Sequence, residues 1–293
     1  MVHTTIKQKI PLILTSNGKT GRRVVERFRS SGLDFREGSR HSAIPFDWYD
    51  STTWQNALHG VSSVYSVFYP DLAISVAREI ITDFTKVAVS CGVEHLVLLS
   101  GRGEEEAQAC EKIVMNSTLD WTIVRSSWFA QNFSEHFFLG DILRGQLVVP
   151  VGDIKEPFID AEDIADVVFA ALTDEKHKNQ IYEITGPALM TFREVIHEIA
   201  VTTNRNIDFQ QVSMDDYVAL LSQAEVPGEF ITLIKYLFTE VLDGRNSHVT
   251  EGIKLALGRE PRSFHSYAQV TAETGIWNPV ESNESLRLSA MNS

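Results

Sequence analysis

Apolar residues along the first 130 positions of the chain fall into short runs that are separated by longer helical patterns. These runs predict strands, and they are IPLILT (10–15), LDFREGS (33–39), VSSVYSVFY (61–69), HLVLLS (95–100) and DWTIVR (120–125). Helices are predicted where apolar residues recur three and four positions apart, over 19–31, 53–60, 72–91 and 104–116. Because near-continuous apolar strands alternate with helices, we predict an α/β fold with a doubly wound parallel sheet covered on both faces.

Beyond about residue 130 the pattern loosens. Short strands are predicted in QLVVPVGD (146–153) and NQIYEITG (179–186), and helices within PFIDAEDIADVVFAAL (157–172) and over 191–203, 213–225 and 228–243. No linker rich in Pro, Gly or Ser separates this part from the first. We therefore predict a main domain over 1–150 and a smaller α+β lobe over 151–293, intertwined in one structural unit, with the lobe at the C-terminal edge of the sheet.

The segment PLILTSNGKTGRRVVERF (11–28) runs from a strand through a glycine-bearing turn into an amphipathic helix. A dinucleotide turn uses one glycine for the tight turn, one for approach to the pyrophosphate and one for helix packing. Here Thr15, Gly18 and Gly21 stand at a spacing of three and three, with Thr15 in place of the first glycine. The letters GKT do not make a P-loop, because Ile13 stands where that motif requires a glycine. A plain strand-to-helix turn that uses glycine for packing is the alternative.

Charge supports an anionic ligand at this turn. The chain has 26 basic and 39 acidic residues, a formal net charge of -13, yet seven basic residues lie between Lys19 and Arg40. Of these, Arg27 and Arg29 are expected on the solvated face of the helix. Arg40 follows the second predicted strand, where an arginine accommodates the 2′-phosphate of NADP, while the nearby Glu37 keeps NAD as the minor alternative.

Composition excludes several other classes. A strongly acidic chain argues against binding to nucleic acid or to an anionic membrane surface, and no run approaches the roughly 18–20 apolar residues of a membrane span. The N-terminus lacks an apolar signal core, and the two cysteines, Cys91 and Cys110, give no disulfide framework, so a cytoplasmic protein is expected. No residue spacing suggests a metal site. A homodimer is left open.

Several motifs occur in the order typical of one enzyme superfamily. LTSNGKTGRR, REGSR, GVEHLVLLS, LDWTIVRSSWFAQNF and PFIDAEDIADVVFAALTD resemble the NmrA-like atypical short-chain dehydrogenases/reductases over about residues 10 to 270. FDW, RSSWFAQNFSE and REPRSFHSYA are most similar to the ergot-alkaloid branch, the festuclavine and agroclavine synthase type. The resemblance implies an NAD(P)-binding Rossmann domain over 1–150, a substrate-binding lobe over 151–293, and NADPH/NADP+ as the cofactor.

The resemblance also implies residue roles. The positions implied in cofactor binding are Thr15, Gly18, Lys19, Thr20 and Gly21 for the pyrophosphate, Ser39 and Arg40 for the adenosine end, Asp47 and Trp48 for the adenine, Phe68, Tyr69 and Pro70 for the middle, and Ser100 for the nicotinamide ribose. Ser127, Trp128 and Phe129 would border the nicotinamide and the substrate, and His136 could reach the substrate. The alternatives are a helix cap for Asp47, core packing for Trp48 and a helix-surface position for His136.

The usual proton donor of short-chain dehydrogenases is absent, since no tyrosine of the chain has a lysine four residues on. Hydride transfer to an iminium ion needs no strong acid, and solvent can protonate a reduced quinone. Tyr69 is the candidate catalytic acid, with a packing aromatic before Pro70 as its alternative. We therefore predict an NADPH-dependent reductase of a small aromatic or heterocyclic imine, iminium or quinone; the alternative is a non-catalytic NADP(H)-sensing regulator of the NmrA type.

Overall fold

Six parallel strands form the central sheet of the protein, whose computed structural model describes residues 10–279. Within that range the strands are β1 (Ile10–Leu14), β2 (Arg36–Gly38), β3 (Val61–Ser66), β4 (His95–Gly101), β5 (Asp120–Ser126), β6 (Gln146–Val149), β7 (Lys155–Glu156), β8 (Gln180–Ile184), β9 (Met190–Thr191) and β10 (Asp208–Gln211). The sheet has the order β2-β1-β3-β4-β5-β8, and every neighbouring pair in it is parallel. The chain leaves β1 toward β2 and returns on its other side as β3, so the predicted doubly wound topology is confirmed, with its switch point beside β1.

Helices cover both faces of this sheet. The helices within residues 10–279 are α1 (Gly21–Ser31), α2 (Trp54–Leu58), α3 (Ala77–Ser90), α4 (Glu105–Met115), α5 (Leu139–Arg144), α6 (Ala161–Thr173), α7 (Phe192–Thr203), α8 (Met214–Gln223), α9 (Gly228–Tyr236), α10 (Gly252–Leu257) and α11 (Phe264–Glu273). None of them has the length and apolar character that crossing a bilayer requires.

Alternation along the strands divides the core of the sheet in two. Leu12 and Leu14 point into a cluster with α2, α3 and α4, whereas Ile13 between them points into a cluster with α1 and α6. In the second cluster Val24, Val25 and Phe28, the predicted apolar face of α1, are fully buried. Both faces of the sheet are therefore buried from solvent, as the continuous apolar strands predict.

A third cluster forms the core of the C-terminal lobe. It contains aromatic side chains from the segment after β5 and from α7, α11 and the chain beyond it, including Phe133, Phe138, Phe192 and Trp277. The indole N–H of Trp277 donates to the Phe133 carbonyl at 2.8 Å. Part of the aromatic stretch after residue 126 is therefore core.

The chain crosses between the two parts. α6 and β8 lie beyond residue 150, yet α6 packs on α1 and β8 pairs with β5 at the edge of the sheet. The division at residue 150 stays a prediction. Residues 1–9 of the first part and residues 280–293 of the second lie outside the described range.

Some predicted elements are longer than the real ones. β3 ends at Ser66, before the predicted end at Tyr69, and α3 begins at Ala77, after the predicted start at residue 72. The residues between them form turns, because the Asp71 carboxylate accepts from the Ala73 N–H at 2.8 Å and the Asp71 carbonyl accepts from the Ile74 N–H. Such local turns compete with helix formation.

Candidate cofactor and substrate site

The N-terminus of α1 is free to bind an anion. Its N-cap residue, Thr20, makes no capping hydrogen bond, and the first turn holds no acidic residue. The N–H groups of Lys19, Thr20 and Gly21 donate to no acceptor within residues 10–279. Unpaired N–H groups and the positive end of the helix dipole favour a phosphate.

Thr15 adopts the backbone conformation of the glycine that it replaces. Its φ is +51°, in the left-handed region that β-branched residues avoid at a cost of about 1–3 kcal/mol. The Thr15 hydroxyl donates to the Val67 carbonyl at 2.8 Å, which offsets part of that cost. The turn thus keeps the dinucleotide-binding shape without its first glycine.

Gly18 and Gly21 are required by close approach of the backbone. A Cβ at Gly21 would lie 2.2 Å from the Thr15 carbonyl oxygen, and one at Gly18 would lie 2.9 Å from the Thr15 Cγ2. The alternative, a turn that uses glycine for packing, explains Gly21. It does not explain Ser16, whose buried hydroxyl has no hydrogen-bond partner within residues 10–279. An unpaired polar atom beside free N–H groups fits a missing phosphate ligand.

Three strand ends meet around this turn. The Ser16 N–H donates to the Gly38 carbonyl at the end of β2, and the Asn17 side chain donates to the Ser39 hydroxyl at 3.3 Å. The Val67 carbonyl beyond β3 accepts from Trp48 as well as from Thr15. Ser39 and Arg40 are therefore brought next to the glycine turn, on the side of the sheet where the adenosine half of a dinucleotide lies.

Several predicted cofactor residues have their side chains engaged inside the protein. The Thr20 hydroxyl accepts from the buried Tyr65, the Ser100 hydroxyl donates to Glu111 at 2.6 Å, and the Trp48 indole donates to Val67. Phe68 is buried against Trp48. Cofactor contacts by these residues stay predictions, and core packing, the alternative for Trp48, accounts for its burial.

Asp47 is not the helix cap proposed as its alternative. Asp50 caps the following 3-10 turn, while the Asp47 carboxylate accepts from the Tyr49 N–H and its carbonyl accepts from the Trp54 indole at 2.7 Å.

Tyr69 is 55% exposed, and its carbonyl accepts from the Tyr49 hydroxyl.

The positive field predicted between residues 19 and 40 is largely neutralised by acids from distant parts of the chain. Arg22 and Arg23 pair with Glu135, and Arg23 and Arg27 pair with Glu162. The prediction that Arg27 lies on a solvated face is wrong, because its side chain packs against α6. Arg29 is exposed, as expected, and binds Glu37 at 2.6 Å, which occupies the carboxylate that favoured NAD. Arg40 is exposed and forms no ion pair within residues 10–279.

Lys19 is a partly buried basic side chain of the glycine turn. Its ammonium donates to the Asn132 side chain at 2.7 Å. Burial lowers the pKa of Lys19 to about 8, and the nearby Arg22 and Arg23 add to that effect, while Glu135 opposes it. The two negative charges of a pyrophosphate would favour the charged form of this ammonium, which forms no ion pair within residues 10–279.

The segment after β5 forms one wall of the crevice. The Ser127 hydroxyl donates to the Pro157 carbonyl at 2.7 Å, so it is turned away from the crevice, while Phe129 is bridged to Ile159. Trp128 is partly buried, with its ring 5.4 Å from Phe238, just beyond α9. His136 is exposed in a turn with φ +73°, so the helix-surface alternative for it is wrong.

Behind this wall lies a buried acid that sequence reasoning missed. The Glu156 side chain accepts from the Trp128 N–H at 3.3 Å and is 1% exposed. Burial raises the pKa of Glu156 to about 7, against the opposing effects of that N–H and of Arg102. Glu156 lies in a strand of only two residues, which is too short to show a pattern of buried and exposed positions in the sequence.

A second missed feature is a pair of carboxyl groups at the ends of β3 and β4. Burial raises the pKa of Glu104 well above its usual range, and the nearby Asp71 charge adds to that effect; burial likewise raises the pKa of Asp71. In the sequence, Glu104 opens a run of three glutamates at the start of a predicted helix, which gives no sign that it is buried. Its partner stands in a different loop, so only the adjacency of β3 and β4 reveals the pair.

Other cavities and clusters lie away from this crevice. One cavity of about 490 Å³ lies between α6 and α10, and another of about 480 Å³ lies beside α7. Neither is lined by a residue of the glycine turn. Within residues 10–279 no group of three His, Cys, Asp or Glu side chains could hold a metal ion.

Comparison with known proteins finds relatives along nearly the whole chain, although no family model matches it. An agroclavine dehydrogenase of Claviceps fusiformis is 29% identical over 290 residues, covering 91% of this chain and 98% of its own. The prestalk A differentiation protein A of Dictyostelium discoideum is 27% identical over 285 residues, covering 92% and 94%.

Solved structures share the fold. The triphenylmethane reductase of Citrobacter sp., crystallised with NADP(H), superposes with a TM-score of 0.75 at 17% identity and covers 90% of this chain and 99% of its own. NmrA, a negative transcriptional regulator crystallised with NADP, superposes with a TM-score of 0.69 at 16% identity and covers 94% and 99%. These likenesses confirm the predicted Rossmann-type α/β fold.

Proposed function

We propose that this chain, an NmrA-like atypical short-chain dehydrogenase/reductase related to the ergot-alkaloid reductases, is an NADPH-dependent reductase of a small organic substrate. The observation that carries the proposal is the uncapped N-terminus of α1 at the switch point of the sheet. Free N–H groups, two close-approach glycines and the unpaired Ser16 hydroxyl all fit a dinucleotide pyrophosphate.

NADPH is the proposed cofactor because of the charges beyond β2. Arg40 forms no ion pair within residues 10–279, whereas Glu37 is bound by Arg29. A free guanidinium favours a 2′-phosphate, and a carboxylate already held by an arginine attracts a ribose hydroxyl less strongly than a free one. The bound cofactor would supply hydride, and the chain would supply binding, orientation and exclusion of water.

The proposed substrate is a small aromatic or heterocyclic imine, iminium or quinone. Trp128, which follows the end of β5, is partly exposed and packs against Phe238 of the lobe core, and an aromatic side chain at that place suits a flat organic molecule. The described relatives with named reactions include agroclavine and festuclavine dehydrogenases, a further reason to propose a nitrogen heterocycle.

Replacing Arg40 with Ala tests the cofactor proposal. Loss of one charge-assisted hydrogen bond is worth about 1.5–3 kcal/mol, so the Kd for NADPH should rise roughly 10- to 100-fold and that for NADH less than about twofold. Fluorescence titration of both dinucleotides measures this. The control is Arg78→Ala, an exposed arginine of α3 that pairs with Glu106. Equal weakening of both dinucleotides would refute the role of Arg40.

A second function is an NADP(H)-sensing regulator. It is supported by the absence of a Tyr-x-x-x-Lys pair and by the likeness to NmrA and to a differentiation protein. Tight NADPH binding with no NADPH oxidation across imine, iminium and quinone substrates would favour the regulator. Steady turnover by the isolated protein would favour the reductase.

A further inference from the structure

The cavity between α6 and α10 lies at the opposite edge of the sheet from the glycine turn. Its volume of about 490 Å³ is within the range of small-molecule sites, and His177 is one of the residues that line it. The His177 carbonyl accepts from the Thr122 hydroxyl at 2.7 Å, and Thr122 pairs with Gln180, the first residue of β8. His177 therefore stands at the amino ends of β5 and β8, whereas the glycine turn follows the carboxyl end of β1. A ligand in this cavity would not touch the dinucleotide crevice.

One buried polar atom at this cavity has no partner. His177 is 1% exposed, and its Nε2 forms no hydrogen bond within residues 10–279. The other ring nitrogen, Nδ1, lies 2.8 Å from the Tyr182 hydroxyl. Tyr182 does not line the cavity, so the Nδ1 side of the ring faces the protein and Nε2, on the far side of the ring, faces the cavity. Buried polar groups are nearly always hydrogen-bonded, so this nitrogen fits a ligand that binds here.

The hydrogen bond with Tyr182 makes Nε2 a donor. Burial lowers the pKa of His177, and the nearby Lys176 adds to that effect while Asp174 opposes it, so the imidazole is neutral. Burial raises the pKa of Tyr182, whose phenol keeps its proton. That hydroxyl has no acceptor within residues 10–279 other than Nδ1, so it donates to Nδ1, and the one proton of the neutral ring is on Nε2. The ligand must therefore offer an acceptor oxygen.

The charged side chains that line the cavity favour an anion. They are Lys176, Lys254 and Asp174, so the lining has a net positive charge. The Asp174 carboxylate is bound by Lys176 at 2.9 Å, whereas Lys254 reaches Glu251 and Glu260 at 3.7 and 3.3 Å across the surface. Exposed ion pairs of this kind contribute little, so a bound anion can replace them as the partner of Lys254.

The rest of the lining is largely apolar. Phe169 and Ala170 come from α6, and Leu255 and Leu257 come from α10. Leu255 is 76% exposed, an unusual position for a large apolar side chain. A fully hydrated anion such as inorganic phosphate gains nothing from these side chains, whereas an organic carboxylate can bury its hydrocarbon part against them.

We propose that this cavity is a second small-molecule site, which binds an organic carboxylate with an apolar body. One carboxylate oxygen accepts from the Nε2–H of His177, the other faces Lys254, and the apolar body packs against Phe169. No covalent bond forms or breaks. Because such a ligand binds only the folded chain, it raises the Tm.

The probes for this site are benzoate, phenylacetate and 3-phenylpropionate, with benzamide as the uncharged counterpart of benzoate. Isothermal titration calorimetry of the full chain should show saturable binding of the carboxylates and weaker binding of benzamide. His177→Phe keeps a flat ring and removes the donor, so it should raise the carboxylate Kd roughly 10- to 100-fold. Lys254→Gln should raise it about two- to fivefold. The control is His59→Phe, an exposed histidine just after α2, which should change nothing.

Nitrogen NMR of histidine-labelled protein checks the donor directly. The His177 ring should carry its proton on Nε2, and that signal should shift when benzoate binds. Absence of binding by all three carboxylates, equal binding by the wild type and both cavity variants, or a proton on Nδ1 would overturn the proposal. Lys254 is exposed, so its variant keeps the test decisive if His177→Phe does not fold.

A competition experiment checks the location of the site. NADPH titrated into protein saturated with benzoate should bind as tightly as it does without benzoate, because the two sites lie at opposite edges of the sheet. Competition between the two ligands would place the carboxylate in the dinucleotide crevice and would overturn the proposed site.

Discussion

Glu156 shows how burial changes what a single carboxyl group does. It has one hydrogen bond, from the Trp128 N–H, and no ion pair within residues 10–279. Water would stabilise its charge, and the apolar surroundings of the C-terminal lobe do not. The pKa of Glu156 is therefore raised from 4.5 to about 7, and the side chain holds its proton into the neutral range.

This shift predicts a pH-dependent stability. Because the folded state binds the Glu156 proton more tightly, its stabilising effect is complete below pH 4.5 and is lost as the pH rises through 7. The loss amounts to about 3 kcal/mol at most. Urea unfolding at pH 4.5 and pH 8 should show this decline in the wild-type protein and a smaller decline in Glu156→Gln. Glu105→Gln, which removes an exposed carboxylate, should follow the wild type; an identical decline in Glu156→Gln would contradict the prediction.

At the scale of elements, α6 joins parts of the chain that lie far apart in sequence. On one side it binds α1, through Arg27 and Asp166. On the other it binds the segment after α10, where Arg259 and Arg262 both contact the fully buried Asp163. The motif REPRSF, first noted as a family resemblance, is therefore a clamp that holds the C-terminal segment against α6.

Removal of the central carboxylate of this clamp should be costly. In Asp163→Ala, Arg259 and Arg262 lose a buried partner, and the Arg262 N–H loses its acceptor at 2.7 Å. Because both arginines are partly exposed and keep Asp166 as a partner, the expected cost is that of the lost hydrogen bonds to a buried charge, about 1.5–3 kcal/mol. Chemical denaturation measures the free energy of unfolding. Glu260→Ala, which removes an exposed carboxylate from the same segment, should cost less than about 1 kcal/mol, and a similar small effect of Asp163→Ala would refute the clamp.

At the scale of the whole molecule, the two parts share one sheet and one core. β8 covers the edge of β5, and α6 covers Val24, Val25 and Phe28 of α1. Each of these apolar side chains is worth about 1.5–3 kcal/mol when buried. The first 150 residues alone lack both covering elements.

A fragment of residues 1–150 should therefore not fold independently. We expect it to bind a hydrophobic dye and to lack a cooperative thermal transition, because β5 becomes an unpaired apolar edge and one face of α1 is exposed. Co-expression with residues 151–293 should restore cooperative unfolding. A sharp transition in the isolated fragment would show instead that the boundary at residue 150 separates two autonomous domains.

The alternation of apolar strands and helices was sufficient to predict the sheet, its parallel pairing and the glycine turn. These features depend on local spacing, which a sequence displays directly. The spacing of Thr15, Gly18 and Gly21 likewise predicted a phosphate-binding turn, although it could not show that Thr15 takes a left-handed conformation.

The sequence by itself determined the α/β architecture, the acidic character and the place of the glycine turn proposed to bind the cofactor, because each depends on neighbouring residues or on composition. Only the tertiary structure decided the charges around that turn, where Glu135 and Glu162 neutralise arginines more than 100 positions away. It also brought Asp71 to Glu104 and buried Glu156. Pairing and desolvation act through space, so the ionisation of these groups depends on how the strands and helices pack.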